Sequence, residues 1–278
     1  MNDVHDSAVD RYAVVGYPIQ HSWSPFIHGL FAKQTHQAMS YTRMAVTPEN
    51  FERDVGAFFA TGGKGMNITV PHKQAANIVT RYRTPRAEIA RAVNTLVWRS
   101  DGLLGDNTDG HGLVTDLRKN LALTITNERI LILGAGGATR GVIEPLLSLG
   151  PTEVVIANRT PDRAVNLASL FVDLGAVRGC GFEEVGDEPF DIVINATAAG
   201  LSGSVPNVES SIIASHTVCY DMSYSKTATP FVTWAIEQGC ARAHKGWGML
   251  VEQAAEAFTL WRGVRPETEP VLAALGSK

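Results

Sequence analysis

Five times along this chain a serine or threonine is followed at once by proline: Ser24-Pro25, Thr47-Pro48, Thr84-Pro85, Thr160-Pro161 and Thr229-Pro230. A hydroxyl can accept from the orphan N–H groups at a helix start. Proline at the first helical position loses nothing, because its missing N–H would have had no partner there. Each pair therefore marks a helix N-terminus. Between these starts lie short β-branched runs, which predict strands over Tyr12–Gly16, Tyr41–Val46, Gly65–Val70, Thr95–Trp98, Arg129–Leu133, Glu153–Ala157, Asp191–Asn195 and Thr217–Tyr220. Strands alternating with helix-length segments read as successive βαβ units, and hence as an α/β fold with mainly parallel sheets.

At 278 residues, with 45% hydrophobic and 19% charged, the chain is long enough for two domains of about 150 residues each. The net charge of −4 argues against a nucleic-acid partner, which would normally call for a basic excess. Three widely spaced cysteines, Cys180, Cys219 and Cys240, argue against a disulfide scaffold and for a reducing compartment. The acidic start MNDVHDSAVD has no apolar core of a signal peptide, and no run approaches the ~18 apolar residues of a membrane span. Neither the histidines nor the cysteines show zinc-ligand spacing, so no metal is expected. A cytoplasmic enzyme without a membrane partner is the expectation.

Two α/β halves are visible, one running to about residue 110 and one opening near Arg129. After Gly246 the chain reads as purely helical, with Leu250, Ala254, Ala257, Phe258 and Trp261 at helical spacing. Periodicity leaves open whether this last helix covers the second half or returns to the first.

The run Arg129–Leu133 leads directly into Gly134-Ala135-Gly136-Gly137-Ala138-Thr139 and a helical stretch to Leu149. Strand, glycine loop and helix together are what a dinucleotide requires. Glycines allow the tight turn and close approach of the pyrophosphate, and the N–H groups of the helix start attract its charge. The third glycine of the motif is replaced by Thr139, so a glycine-rich turn without a ligand is the plainer alternative. The next strand sharpens the choice. An NAD site places Asp or Glu at its end to hold the ribose 2′-hydroxyl, but here the sequence is Asn158-Arg159-Thr160, with Arg163 close behind. Two guanidiniums, whose planar forks suit phosphate, stand where a 2′-phosphate would lie, which points to NADP. Alone, they could be solvated arginines at a helix start.

In the first half, polar residues cluster at strand ends: His21-Ser22-Trp23-Ser24-Pro25, Asn67-Ile68-Thr69-Val70-Pro71-His72-Lys73, Asn94-Thr95 and Asp106-Asn107-Thr108-Asp109-Gly110. Lys73 should fall in the first turn of a helix, where the partial positive charge eases loss of a proton. Asp109 is the available carboxylate for such an exchange. A solvated lysine and a capping aspartate are the plainer alternatives.

Taken in order, these segments resemble the shikimate dehydrogenase family from about Tyr12 to Trp261. The resemblance also rests on Ala92-Val93-Asn94-Thr95, Asn195-Ala196-Thr197 and Gly248-Met249-Leu250-Val251-x-Gln253-Ala254. It implies a substrate-binding catalytic domain over 1–110 and 246–278, with the C-terminal helices returning to it. A Rossmann-like NADP domain would occupy 111–245. The resemblance implies reversible NADPH-dependent reduction of 3-dehydroshikimate to shikimate by a monomer or homodimer, with Lys73 and Asp109 as the catalytic pair. Ser22 and Ser24 would hold the substrate carboxylate, and no arginine lies in the Ser22–Pro25 segment. Thr69, Asn94, Asp109 and Gln253 would hold the ring hydroxyls, with Tyr224 nearby. NADP would be held by Gly134, Ala135, Gly136, Gly137, Ala138, Asn158, Arg159, Thr160, Arg163 and Thr197, with Met222 and Gly246 beside the nicotinamide. Three positions depart from the family pattern: Arg91 replaces a common glycine, Lys226 a proline and Lys245 an aspartate. The alternatives are a broader quinate/shikimate dehydrogenase and a non-catalytic NADP-binding sensor. The Ser-x-Ser and Asn-Thr-Asp motifs oppose a methylenetetrahydrofolate dehydrogenase-like enzyme.

Overall fold

The computed structural model describes residues 9–276. Positions 1–8 of the acidic N-terminal stretch lie outside them. The chain divides into two compact units, one up to Thr108 and again from Gln253, the other Asp109–Glu252.

The first unit is built on β1 (Asp10–Gly16), α1 (Ser24–Gln34), β2 (Met39–Ala45), α2 (Phe51–Ala60), β3 (Gly63–Ile68), α3 (Lys73–Val79), β4 (Tyr82–Arg83), α4 (Pro85–Ala90), β5 (Thr95–Arg99) and β6 (Gly102–Asp106). Its six strands lie in the order β2-β1-β3-β5-β6-β4. The β1–β2, β1–β3 and β4–β6 pairs are parallel, while β5 is antiparallel to both β3 and β6. This half is therefore a mixed sheet. The β5–β6 hairpin is not legible in the sequence because Gly-Leu-Leu-Gly-Asp carries little strand propensity. Ala13, Val15, Met66, Ile68 and Leu96 form the core of one face with Phe51, Val55, Phe58 and Phe59 of α2.

The second unit opens with α5 (Asp109–Thr115), which runs on as a wider π-helical turn over Asp116–Asn120. Next come β7 (Arg129–Leu133), α6 (Gly137–Leu147), β8 (Glu153–Asn158), α7 (Pro161–Ala168), β9 (Val177–Gly181), β10 (Ile192–Asn195), β11 (Val218–Asp221), α8 (Pro230–Glu237), β12 (Arg242–Lys245) and α9 (Trp247–Arg262). The strand order is β12-β11-β10-β7-β8-β9, and every pair is parallel. This is the doubly wound order in which ligands bind beyond the carboxyl ends of the strands, where the winding reverses. The central strands are fully buried between two apolar layers, with Ile130 and Ile132 facing one core, Leu131 and Leu133 the other. Edge strands β9 and β12 have no counterpart among the strands expected from sequence, since polar or glycine-rich runs such as Arg-Ala-His-Lys are what an edge tolerates.

The last helices resolve an ambiguity left by periodicity. Helix α9 is continuous, but from Gln253 it belongs to the first unit, as does α10 (Glu269–Gly276). Trp261 donates from Nε1 to Leu96 O at 3.0 Å, and its ring occupies the space a Cβ at Gly65 would need. The compact units thus divide within the helix, later than the boundary at 246 expected from sequence. The first turn of α9 stays with the second unit because Gly248 packs against the Asp116 carboxylate too closely for any side chain.

Four of the five hydroxyl–proline pairs place their threonine as helix cap, and Thr84 and Thr229 accept from the N–H of Ala87 and Val232. The exception is Ser24. It is already the first helical residue, and Trp23 caps α1.

Candidate active site

In the first unit, Ser22 and Ser24 are brought together and buried. Ser22 Oγ donates to Ser24 Oγ at 3.2 Å and accepts from the Ser24 N–H at 3.3 Å. With Trp23 as the cap, the Ser24 hydroxyl has no helix N–H to satisfy. Although the local segment holds no arginine, tertiary structure supplies one. From β2, Arg43 donates to the Ser22 carbonyl through Nε at 3.0 Å and Nη2 at 2.6 Å. Its position in the sequence gives no hint of this contact. A guanidinium fixed there adds positive potential to a loop otherwise equipped only with neutral donors.

The segment carrying Thr69 and Lys73 is pinned at both ends. Thr69 N–H bonds Val15 O at 2.9 Å, and a Cβ at Gly16 would lie only 2.5 Å from Thr69 Cγ2. His72 caps α3, stacks on Phe51 and bonds the Val46 carbonyl through Nε2 at 2.6 Å. Lys73 is the first residue of α3, and its carbonyl accepts from Val93 N–H at 2.9 Å. The helix start expected for Lys73 is therefore where it stands.

Asn94, at the head of β5, is the centre of a buried polar cluster. Its Oδ1 accepts from the Thr108 N–H and from Thr95 Oγ1, both at 2.9 Å. Its Nδ2 donates to Thr108 Oγ1 at 2.9 Å and to Gln253 Oε1 at 3.4 Å. Gln253, polar on an apolar stripe of α9, is accounted for by this cluster. Beneath it, Arg86 holds Asp106 through two bonds of 2.7 and 2.5 Å. Burial pushes the Asp106 pKa up, but Arg86 with the Thr84 hydroxyl outweighs it, holding the carboxyl below its usual range. Arg91 caps α4 at φ +48°, in the left-handed region that glycine enters most readily.

In the second unit, Asp109 is the buried first residue of α5. The glycine loop links β7 to α6 as expected, with Gly136 as the cap. Gly134 sits at φ +106°, and a Cβ there would come within 3.1 Å of the Ala196 carbonyl. A Cβ at Gly136 would meet no protein atom within 4 Å. Nothing in the fold requires glycine at 136, so the room there suits a close-lying group such as a pyrophosphate. Thr139, which replaces the third glycine, is fully buried and donates to Gly134 O at 2.8 Å, tying the loop to its helix.

Asn158 ends β8 and donates to Thr160 O at 3.0 Å. Arg159 and Arg163 are exposed, and among the described residues neither forms an ion pair. Thr197 bonds Asn195 Oδ1 at 2.7 Å, Asn195 Nδ2 bonds Asp221 Oδ1 at 3.1 Å, and Met222 N–H bonds Asn195 O at 2.9 Å. Gly246 is held against the Met222 and Asp221 carbonyls too closely for a side chain, and its N–H meets Ser223 O at 2.9 Å. Lys245 has a structural task. Its ammonium donates to the carbonyls of Ser225, Lys226 and Thr227 at 3.0 to 3.3 Å. Tyr224 packs on Trp247 at 4.9 Å.

One buried cluster has no signature in the sequence. Asp116 accepts from the Tyr220 hydroxyl at 2.6 Å and from Asn120 Nδ2 at 2.9 Å, and the Tyr220 oxygen accepts from Met249 N–H at 3.3 Å. Burial pushes the Asp116 pKa up despite these donors. Among the described residues no group of His, Cys, Asp and Glu could hold a metal ion, and no helix is long and apolar enough to cross a membrane.

Parallel strand order, glycine loop and exposed guanidiniums define a dinucleotide-binding α/β protein of the kind that carries out hydride chemistry. Its sequence says which kind. Residues 14–96 match the shikimate dehydrogenase substrate binding domain, 116–211 the shikimate / quinate 5-dehydrogenase domain and 246–275 the shikimate 5′-dehydrogenase C-terminal domain. The chain is 55% identical over 266 residues to the shikimate dehydrogenase (NADP(+)) of Alkalilimnicola ehrlichii, covering 96% of this chain and 98% of that one. Among solved structures, an Ael1 enzyme from Pseudomonas putida is 44% identical with a TM-score of 0.88, over 96% of this chain and 98% of that one. The shikimate 5-dehydrogenase of Thermus thermophilus, in complex with NADP(H) and shikimate, is 30% identical with a TM-score of 0.85, again over 96% and 98%. The chain belongs to the shikimate dehydrogenase family.

Proposed function

We propose that this protein catalyses the reversible NADPH-dependent reduction of 3-dehydroshikimate to shikimate in the cytoplasm. In this reading the first compact unit binds the substrate and the second the cofactor. The observation that carries it is the convergence on Asn94 of Thr108 and of Gln253, 159 positions away. Amides and hydroxyls gathered in one buried cluster are the groups that would read a polyhydroxylated ring.

The residues present suit NADP: Gly134 to Ala138 with the start of α6 for the pyrophosphate, Arg159 and Arg163 for the 2′-phosphate, Asn158, Thr160 and Thr197 around them, and Met222 and Gly246 for the nicotinamide end. When bound, that cofactor supplies the hydride. Ser22 and Ser24 anchor the substrate carboxylate, aided by the potential of Arg43. Thr69, Asn94, Asp109 and Gln253 orient the ring hydroxyls, with Tyr224 near them. In reduction the Lys73 ammonium stabilises the developing alkoxide and donates its proton to that oxygen. In oxidation the proton returns to Lys73, and Asp109 is the carboxylate that assists the exchange. Calorimetric titration of shikimate and NADP tests the assignment. Gln253→Ala should weaken shikimate and leave NADP unchanged, whereas equal loss of both would refute the division of labour.

A further inference from the structure

The directions of the hydrogen bonds that run from Asn94 to His28 follow from one of them. The Thr108 N–H can only donate, and it meets Asn94 Oδ1 at 2.9 Å, so that end of the amide is oxygen. Thr95 Oγ1 lies 2.9 Å from the same oxygen and must donate to it. With its single proton used there, the Thr95 hydroxyl can only accept from Asn67 Nδ2, 3.2 Å away. Asn67 therefore turns its Oδ1 the other way, towards the Tyr41 hydroxyl at 2.6 Å and His28 Nε2 at 3.2 Å, and both must donate. His28 accordingly carries its proton on Nε2. Its Nδ1 has no hydrogen-bond partner, the expected state of a bare lone pair.

The histidine is fully buried and cannot turn easily. Its ring stacks on Tyr41 with centroids 4.2 Å apart and planes 9° apart, and meets Phe31, Phe258 and Trp261 on its other sides. A flipped amide at Asn67 would set its NH2 against two donors and its oxygen against an already committed hydroxyl. Unmatched buried polar groups of that kind cost more than the bonds themselves return.

We propose that His28, together with Tyr41, is a positioning residue: through Asn67 it holds the Thr95 hydroxyl as a donor to Asn94 Oδ1, and so joins the Thr108 N–H in securing the end of the Asn94 amide offered to the substrate. The proposal rests on the reading of Asn94 as a substrate-binding residue. Burial also drives the His28 pKa down to about 3, so the ring remains neutral and keeps one donor nitrogen through the ordinary working range.

Steady-state kinetics on paired variants tests the relay. Thr95→Val removes the middle hydroxyl without changing shape, and His28→Phe removes a donor while keeping a flat ring. Each should raise the shikimate KM about 10-fold, the scale of one buried hydrogen bond, and leave the NADP KM unchanged. The conservative variants Thr95→Ser and His28→Gln, which keep the required groups, should restore it. A merely structural role would lower thermal stability without moving the ratio of the two KM values. Should His28→Phe fail to fold, the Thr95 pair decides alone. Asn94→Ala separates the two layers of the argument. If it raises the shikimate KM while Thr95→Val does not, the relay is overturned and the site reading survives. If Asn94→Ala leaves that KM unchanged, both fall.

Discussion

In the second unit the loop after β7 is built from backbone and leaves open space before the start of α6, with a Cβ at Gly136 facing no protein atom within 4 Å. In the first unit the corresponding groups are side-chain amides and hydroxyls, buried together and already bonded to one another around Asn94. The difference is one of how a site is encoded. A backbone-built cradle needs a particular conformation, so its signature is contiguous: a strand, glycines and a helix start. A side-chain-built cluster needs donors and acceptors from distant segments, and its signature is scattered across the chain.

The contrast can be broken most forcefully at Lys73, where chemistry and not binding is at stake. Lys73→Ala should lower kcat by at least ~10²-fold, the usual scale for a lost general acid, with a much smaller change in shikimate KM. Near-normal turnover would move proton transfer to another group.

Next in size are the two serines. Hydrogen bonds to an anion are worth about 1.5–3 kcal/mol, so Ser22→Ala and Ser24→Ala should each raise shikimate KM roughly 10- to 150-fold at constant NADP KM. Because Trp23 and not Ser24 caps α1, loss of this hydroxyl should not carry the ~1 kcal/mol of a lost cap. A heat-sensitive Ser24→Ala enzyme with unchanged KM would reverse that reading.

On the cofactor side, Arg159→Ala should weaken NADP by about 1.5–3 kcal/mol and barely alter NAD. Gly136→Ala should weaken both cofactors without lowering thermal stability, because its new methyl meets nothing in the protein. Gly134→Ala, at φ +106°, should destabilise the fold itself by about 1–3 kcal/mol. Identical behaviour of the two glycine variants would show that the loop is shaped only by packing.

These expectations also mark what can be read from the sequence. The parallel sheet and the glycine loop between β7 and α6 are legible because buried central strands are continuous apolar runs and the turn out of one is a run of glycines. The polar strands β9 and β12 are not, because an edge strand is specified by its neighbour more than by its own residues. Arg43 is invisible for a different reason: it reaches Ser22 across 21 positions by bonding a backbone carbonyl, which leaves no trace in the side chains. Asp116 and Tyr220 form their bond over 104 positions, and neither residue type at its own position signals a buried pair. Gln253 stands out as a polar break in an apolar stripe, but only tertiary structure supplies its partners.

The smallest expected effect concerns stability and pH. His28 has its folded pKa lowered to about 3, against 6.5 ordinarily, so below pH 6.5 the unfolded chain binds a proton that the folded chain does not. Its contribution is complete above that value and declines as pH falls towards 3, with a slope approaching about 1.4 kcal/mol per pH unit. Urea unfolding should show this loss between about pH 6.5 and 5.5, above the range where carboxylates dominate, and His28→Gln should flatten it. An equal slope in both proteins would contradict the buried neutral ring.

The central claim is that the scattered cluster reads shikimate while the contiguous cradle reads NADP. Initial rates of the purified protein with shikimate and with quinate, each with NADP and with NAD, test it in one experiment. Rapid NADP reduction with shikimate is expected, with a large loss on changing to NAD and a further loss on changing to quinate. No turnover of shikimate with NADP, or a preference for NAD, would contradict it.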